Sequence, residues 1–246
     1  MFLSVFISYS KNDKLAADAI CHALEQNGVH LIKTLKNVLG MSVETPKQVS
    51  QAPPKPIQIN IPASGDKKTV GVEINGVIWA PCNVDAPGTF AAKPEDAGMF
   101  YQWNRKKAWP ATDEVTGWNA SVPEGNTWEK ANDPSPAGWR VPTEEEIDKL
   151  LDKEKVTNEW SSLNGVNGRK FTDKTSGKSI FLPAAGYRSY FDGELYDVGY
   201  YGYYWGSTQN DGNDGCVYYL DFGSDNAYWG GWSSKSNALT VRPVAE

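Results

Sequence analysis

The sequence predicts a mixed α+β, loop-rich domain that follows a short N-terminal βα segment. Three observations support this class. All ten tryptophans lie from Trp79 onwards, in a part of the chain where glycine and asparagine separate short apolar runs. Short apolar runs separated by glycine and asparagine are typical of short strands joined by turns. A clear helix start occurs at residues 143–146, where Thr-Glu-Glu-Glu forms a capping box before Ile147, Leu150 and Leu151.

Other elements follow from the same patterns. We expect short strands over residues 70–78, 179–183 and 239–244, and two further short helices over residues 97–105 and 127–131. The N-terminal apolar run of residues 2–8 predicts a buried strand, and apolar residues at helical spacing continue to Asn27-Gly28.

The segment VFISYSKNDKLAADAICHALEQNGV resembles the first strand and helix of TIR domains. Residues 42–68 are rich in proline and poor in large apolar residues, which predicts a linker. We therefore divide the chain into a truncated TIR-like segment (1–41), a linker (42–68) and a large C-terminal domain (69–246). The truncation gives no basis for NAD hydrolysis. The apolar strand over residues 2–8 has an open edge, and this favours homodimerisation through that segment.

Charge and cysteine content exclude several classes of protein. The net charge is −6 and the pI about 5.1, which disfavours a nucleic-acid binder that relies on phosphate contacts. The cysteines Cys21, Cys82 and Cys216 form no CxxC pair, and His22 and His30 lie far from two of them in sequence, so no metal site is expected. The sequence shows no signal peptide and no apolar run of about eighteen residues, so we expect a cytoplasmic protein without a membrane span.

Six motifs occur in order in the C-terminal domain. They are GVIWAPCN (76–83), GMFYQW (98–103), PAGWRVPTEEE (136–146), LPAAGYR (182–188), GYYWGST (202–208) and LTVR (239–242). In this order the chain resembles bacterial domains related to formylglycine-generating enzymes and C-type lectins. Among these it is similar to Fibrobacter-type paralogous domains and to the variable proteins of diversity-generating retroelements. The resemblance covers residues 70–246 and implies a C-type-lectin-like fold.

Aromatic and arginine residues within these motifs are expected to belong to the scaffold. Indoles beside glycine or proline can cover closely packed backbone, and neighbouring guanidinium groups can pair or stack with them. The residues predicted to be structural are Trp79, Trp103, Trp139, Trp205, Arg140 and Arg188. Tyr187, Tyr190 and Tyr204 are expected to pack on the scaffold with only their hydroxyl groups in water.

Residues 187–236 hold ten of the twelve tyrosines, interspersed with Gly, Ser, Asp and Asn. This composition is typical of antibody binding surfaces. The resemblance implies that the segment is a variable region, in which randomised asparagine codons yield Tyr, Ser, Asp, Gly and Phe. Trp229 and Trp232 cannot arise in this way but would be strong contact residues. The predicted binding residues are Ser189, Phe191, Tyr196, Tyr200, Tyr201, Tyr203, Tyr218, Tyr219, Asp221, Gly223, Tyr228, Trp229, Gly230, Gly231, Trp232, Ser233 and Ser234.

The predicted function is receptor-like binding of a protein ligand through this Tyr/Trp-rich surface. Six to eight exposed aromatics would cover about 1,000 Å², enough for a specific interface. The alternative is a domain of fixed sequence that binds carbohydrate without calcium. The EPN, QPD and WND motifs of sugar-binding C-type lectins are missing from the sequence, and the Asp/Asn/Gly-rich turn at 211–215 lacks a final Glu ligand. We expect no enzymatic activity and no cofactor, since Cys216 has neither a second cysteine nor a histidine near it in sequence.

Overall fold

The computed structural model describes residues 71–112, 114–209 and 216–246; within them the side chains of residues 209, 216 and 230–232 are not described. The TIR-like segment, the linker, the predicted dimerisation through residues 2–8 and the 211–215 turn lie outside these ranges. In the described ranges the fold is mostly β, with fifteen strands and one α-helix, α1 (Glu144–Leu151). The fraction of described residues that lie in helices is smaller than the predicted mixed α+β class implies.

The strands form four sheets, in which all pairings are antiparallel. The first contains, in order, β1 (Val72–Ile74), β2 (Val77–Trp79), β15 (Val244–Ala245) and β5 (Trp139–Arg140). The second contains β10 (Leu195–Tyr196), β9 (Tyr187–Arg188), β14 (Ala238–Leu239), β3 (Phe100–Gln102) and β4 (Ala108–Trp109). The third contains β11 (Gly202–Gln209), β12 (Cys216–Phe222) and β13 (Ala227–Ser234). The fourth contains β6 (Val156–Leu163), β7 (Val166–Asp173) and β8 (Ser179–Pro183).

Strand prediction succeeds for β8 and is wrong in detail at both ends of the domain. The predicted strand over residues 70–78 is, within its described part from residue 71, a hairpin, because Asn75 and Gly76 adopt positive φ angles of 46° and 76° and reverse the chain. The segment 239–244 is also interrupted: only its ends belong to strands, β14 and β15. Val244 pairs with Trp79, so the first and last parts of the described domain lie side by side.

The helix predictions have mixed outcomes. The capping box is present, with Glu146 Oε2 accepting a hydrogen bond of 2.8 Å from the Thr143 N–H, and Ile147 is buried. Residues 127–131 overlap only a 3₁₀ turn at Lys130–Asn132. The prediction for residues 97–105 is wrong, since this segment contains β3, held between β14 and β4. α1 is eight residues long, and no helix within the described ranges has the length and apolar character needed to cross a membrane.

Two tryptophans join the second and third sheets. The Trp205 Nε1–H donates to the Tyr101 carbonyl at 2.6 Å, and the Trp103 Nε1–H donates to the Gly206 carbonyl at 3.1 Å. Both indoles are fully buried, as is Trp79, so the predicted structural role of these motif tryptophans is confirmed. Trp139 is only half-buried and contacts the Phe90 ring edge to face.

A second buried group, the guanidinium of Arg242, connects distant parts of the chain. It donates five hydrogen bonds: to Asn83 Oδ1 and to the carbonyl oxygens of Ala80, Pro81, Pro94 and Phe181, at 2.8 to 3.4 Å. The side chain is 1% exposed, and burial lowers its pKa. Since all five acceptors are neutral, the charge is compensated by hydrogen bonds to dipoles.

Arg188, in β9 of the second sheet, is another buried arginine whose guanidinium donates to backbone carbonyl groups. Its fully buried guanidinium donates to the carbonyl oxygens of Pro110, Gly193 and Thr112 at 2.6 to 3.0 Å. This confirms the predicted structural role of Arg188. Arg140, in contrast, is half-buried and forms a bidentate pair with Glu146 at 2.7 and 2.8 Å.

Replacing Arg242 should destabilise the fold strongly. Arg242→Met keeps a long apolar stem but leaves buried acceptors without donors, each at a cost of about 1–3 kcal/mol. We expect a loss of at least about 3 kcal/mol in urea unfolding followed by tryptophan fluorescence. Arg140→Met is the matched control and should cost only about 1 kcal/mol, because that pair is partly exposed. Equal losses would contradict the role assigned to Arg242.

The Arg140–Glu146 pair should make stability depend on pH. Burial by itself raises the pKa of Glu146, but hydrogen bonds from Arg140 and Thr143 outweigh it and hold the pKa below 4.5. A lowered folded pKa means that the stabilisation is present above the unfolded pKa and is lost as pH falls through the folded pKa. The stability difference between the wild-type protein and Glu146→Gln should therefore shrink as the pH falls below about 5, through the ordinary pKa of glutamate and on to the lowered pKa of the folded state. In an Arg140→Met background this pH dependence should weaken, and its persistence there would contradict the assignment.

Candidate functional site

The third sheet arranges many of the predicted binding residues in rows. Directly paired residues of antiparallel strands share a face, and successive residues alternate between faces. Two neighbouring rows lie on one face: Tyr203–Asp221–Tyr228 and Trp205–Tyr219–Gly230. Trp205 is buried in the core whereas Tyr228 is 43% exposed, so one part of this face packs in the core and another part is exposed to solvent.

Five tyrosine rings are joined by contacts at this face, and we call them the tyrosine patch: Tyr187, Tyr196, Tyr201, Tyr203 and Tyr219. The Tyr203 ring lies 5.2 Å from that of Tyr187, 6.1 Å from that of Tyr201 and 6.0 Å from that of Tyr219, between ring centroids. Tyr196 stacks on Tyr187 at 5.8 Å. Tyr196 is 38% exposed and the other four are half-buried, so the rings support one another while each leaves part of its surface in water.

Carboxylates surround the patch and accept hydrogen bonds from its hydroxyl groups. The Tyr203 hydroxyl donates to Asp197 Oδ2, and the Tyr196 hydroxyl donates to Glu194 Oε2, both at 2.9 Å. Burial raises the pKa of Tyr203 well above its ordinary value, and the charges of Asp197 and Asp221 raise it further. Tyr203 is therefore a neutral phenol at physiological pH, and the negative charge at the patch belongs to the carboxylates.

Tyr218 and Trp229 lie on the opposite face of the sheet. Their rings meet at 5.7 Å, and the Trp229 Nε1–H donates to Asp148 of α1. Trp229 also packs against the core cluster that contains Leu220 and Phe222. The period of two along a strand separates Tyr218 from Tyr219, so these neighbours in sequence belong to different surfaces.

Two connections before the third sheet contribute the most exposed rings: Phe191 lies in the turn between β9 and β10, and Tyr200 lies between β10 and β11. Tyr200 is 72% exposed and Phe191 is 63% exposed. Ser189 is half-buried, and its Oγ accepts a hydrogen bond of 3.3 Å from the Phe191 N–H, which closes a turn. In the turn between β9 and β10, Ser189 therefore orders the backbone while Phe191 projects into solvent.

Several other predicted residues offer little side-chain surface. Asp221, Gly223 and Ser233 are buried, and Ser233 Oγ accepts a hydrogen bond of 3.0 Å from Asn237 Nδ2. A Cβ atom on Gly223 would lie 2.9 Å from the Tyr201 ring, so the missing side chain makes room for that ring. Ser234 is half-buried, and its Oγ accepts from the Ser236 N–H at 3.2 Å. Gly230, Gly231 and Trp232 belong to β13, and the side chain of Trp232 lies outside the described part.

Three residues of the site lie outside the predicted binding set. Tyr187 was assigned to the scaffold, where it is indeed half-buried, but its ring also connects Tyr196 with Tyr203. The other two are Glu194 and Asp197, whose carboxylates accept the hydrogen bonds of Tyr196 and Tyr203. Asp197 has a positive φ of 62°, and this turn geometry brings its carboxylate to the Tyr203 hydroxyl. The available signal was the spacing of acidic residues between the tyrosines.

Groups with catalytic or metal-binding chemistry are scarce in the described part of the chain. No group of three or more His, Cys, Asp or Glu residues there could hold a metal ion. Cys82 is buried, and burial raises the pKa of its thiol, which makes it a poor nucleophile. A cavity of about 280 Å³ lies where the β6–β7 turn meets residues 183–185 and 198–199, with Glu95 in its wall.

Comparison with known proteins gives one match. A family model described as a domain of unknown function (DUF8237) matches residues 155–244, less than half of the chain. The matched segment begins at β6 and contains every predicted binding residue. Neither the curated proteins nor the solved structures include a significant match.

Proposed function

We propose that this protein is a receptor-like binding protein that recognises a protein ligand through the aromatic surface of residues 187–229. The exposure of its aromatic side chains carries the proposal. Eight large hydrophobic side chains are exposed in the described ranges, and five of them lie between residues 191 and 228. These five are Phe191, Tyr196, Val198, Tyr200 and Tyr228. Tyr196 also stacks on Tyr187 of the tyrosine patch, so this exposure is partly contiguous, and contiguous exposed apolar surface marks an interaction site more often than an ordinary exterior.

A C-type-lectin-like scaffold is the second part of the proposal. It is supported by the burial of motif residues Trp79, Trp103, Trp205 and Arg188. It is also supported by the pairing of the closing strand β15 with β2, because a domain whose ends meet can present long loops elsewhere. Such a division between a fixed core and an adaptable surface is what paratopes on other scaffolds use.

Diversification by a retroelement is the third part. Its support is the composition of the predicted binding residues, in which Tyr, Phe, Ser, Asp and Gly predominate, together with the positions of the exposed ones. Tyr200, Phe191 and Tyr228 project outward, where substitutions usually change stability by less than about 0.5 kcal/mol. Positions such as Gly223 and Ser233 pack inside, so variation there would act indirectly, by moving Tyr201 or Asn237.

Calcium-independent carbohydrate binding remains the alternative. The exposed ring of Tyr200 and the carboxylates near Tyr196 and Tyr203 are groups that can stack on sugars and hydrogen-bond to their hydroxyl groups. A protein ligand is favoured because the exposed residues are spread over a broad surface instead of lining one deep pocket.

Sequencing the surrounding genomic DNA tests the diversification. We expect a near-repeat of the DNA that encodes residues 187–236, with mismatches confined to adenines of the repeat, and a nearby reverse-transcriptase gene. The predicted codons at Tyr200 and Tyr228 should coincide with mismatched adenines. A genome without either element would overturn the diversification but would leave ligand binding to be tested separately.

Photo-crosslinking of the full chain tests ligand binding. A benzoylphenylalanine in place of Tyr200 should capture a protein that the same group at Ile78, another exposed apolar position, does not capture. With the captured protein purified, Tyr200→Ala and Phe191→Ala should each weaken binding at least about tenfold, as expected for aromatic hot spots. Ile78→Ala should leave the affinity unchanged, and all three variants should keep the thermal midpoint within about 4 °C. An affinity that is insensitive to Tyr200 and Phe191 would contradict the proposal, and capture of a glycan-bearing partner through its sugar would favour the alternative.

A further inference from the structure

Charge is distributed unevenly along the binding region. Residues 189–234 contain seven acidic residues and no lysine or arginine. The acidic residues are Asp192, Glu194, Asp197, Asp211, Asp214, Asp221 and Asp225. The whole chain has 24 basic and 30 acidic residues, so an average segment of this length would carry several of each. The composition gives this part of the protein a strong local negative charge.

The two basic residues that border the region do not compensate this charge at the surface. Arg188 is fully buried and donates to the carbonyl oxygens of Pro110 and Gly193. Lys235 is 1% exposed; its Nζ donates to the Gly125 carbonyl at 2.8 Å and lies 4.9 Å from the centroid of the Trp103 ring. Both cations therefore point into the scaffold. Arg169 of β7 also reaches the region, where its guanidinium donates to the Gly223 carbonyl at 2.6 Å and its charge interacts with that of Asp225, but its side chain is buried as well. The exposed carboxylates of Asp192, Glu194, Asp197 and Asp225 thus give the solvent side of this region its negative charge.

The tyrosine patch combines that potential with aromatic faces. A tyrosine ring carries partial negative charge on its faces, and this attracts ammonium and guanidinium groups. Asp197 lies beside Tyr203 at hydrogen-bond distance, and Asp221 is the cross-strand partner of Tyr203. A cation that lies on the patch would thus meet ring faces and the exposed Asp197 carboxylate within one small area, and the buried Asp221 would add its charge without direct contact. Since Tyr203 stays a neutral phenol, it can be a hydrogen-bond donor to Asp197 while the carboxylate keeps lone pairs for a ligand.

We infer that the partner surface that docks on the tyrosine patch is a basic protein segment, with an arginine side chain lying against Tyr203 and its guanidinium directed towards Asp197. This inference deepens the proposed function and rests on it. Arginine suits the site better than lysine, because the planar guanidinium stacks on a ring and also forms paired hydrogen bonds with a carboxylate. Nucleic acids and anionic membranes carry charge of the same sign as the patch and are disfavoured by repulsion.

A defined peptide probe tests the inference without knowledge of the natural partner. The full chain, labelled with ¹⁵N, is titrated with the acetylated and amidated peptide (Gly-Arg)₄ and with the same peptide containing citrulline, the neutral analogue of arginine. At low salt we expect saturable shifts of the amide signals of Tyr203, Tyr219 and Tyr228. The citrulline peptide should bind at least about fivefold more weakly, and about 0.2 M salt should remove most of the difference between the peptides.

Two variants with the same change in net charge localise the effect. Asp197→Asn keeps an acceptor for the Tyr203 hydroxyl and tolerates the positive φ of this position. It should weaken binding of the arginine peptide about threefold or more, a loss typical of one partly exposed charge contact. Glu73→Gln is the matched control, since Glu73 is exposed on β1 in a different sheet, and it should leave binding unchanged.

Three results would overturn the inference: no saturable shifts at these amides, equal binding of the citrulline peptide, or equal weakening by Glu73→Gln and Asp197→Asn. Its failure is distinguishable from failure of the proposed function. If the crosslinked partner depends on Tyr200 and Phe191 but is insensitive to Asp197→Asn, the basic character of the partner is wrong and ligand binding stands. If the arginine peptide binds the patch but no protein partner depends on Tyr200, the proposed function is wrong.

Discussion

The buried guanidinium of Arg242 is the contact on which the described fold depends most. It connects the C-terminal segment to residues 80–83, to the loop at Pro94 and to Phe181 in β8. Transfer of a charge from water to the interior costs several kcal/mol, and the five N–H groups of arginine can offset this cost only if every acceptor stays in position. The network therefore restrains segments whose own strands are two to five residues long and could not be stable by themselves.

The same network reaches the sheet that carries the candidate site. Asn83, whose Oδ1 accepts from Arg242, donates through Nδ2 to the Tyr204 hydroxyl at 3.3 Å, and that hydroxyl donates to the Pro183 carbonyl at 2.7 Å. Tyr204, which lies between Tyr203 and Trp205 in sequence, is buried. With Tyr204 held in the core, alternation along β11 turns Tyr203 to the other face, where the tyrosine patch forms. The buried hydrogen bonds and the exposed rings are thus linked through a single strand.

A surface built in this way has the physical properties of a specific binding site. Its rings contact one another, so each has lost part of its rotational freedom before a ligand arrives, and less entropy is lost on binding. Its carboxylates are oriented by tyrosine hydroxyl groups or by the strand pairing. Polar groups with defined positions give selectivity to a surface whose affinity comes from aromatic area. The proposed function and the proposed basic partner both follow from this combination.

The sequence by itself determined the composition of the site and part of the scaffold. The capping box at Thr143, the strand Ser179–Pro183 and the burial of Trp79, Trp103 and Trp205 are local or compositional features, and they agree with the structure. Residues 97–105, for which the sequence predicts a helix, contain strand β3 instead, because pairing with β14 and β4 overrides local helical preference. Only the tertiary structure decided which of the predicted binding residues act together. Strand register separates Tyr218 and Trp229 from Tyr203 and Tyr219, and packing buries Asp221 and Ser233. A turn at Asp197 brings its carboxylate to the Tyr203 hydroxyl. Register and packing depend on contacts between residues far apart in the chain, and these contacts leave no local signal in the sequence.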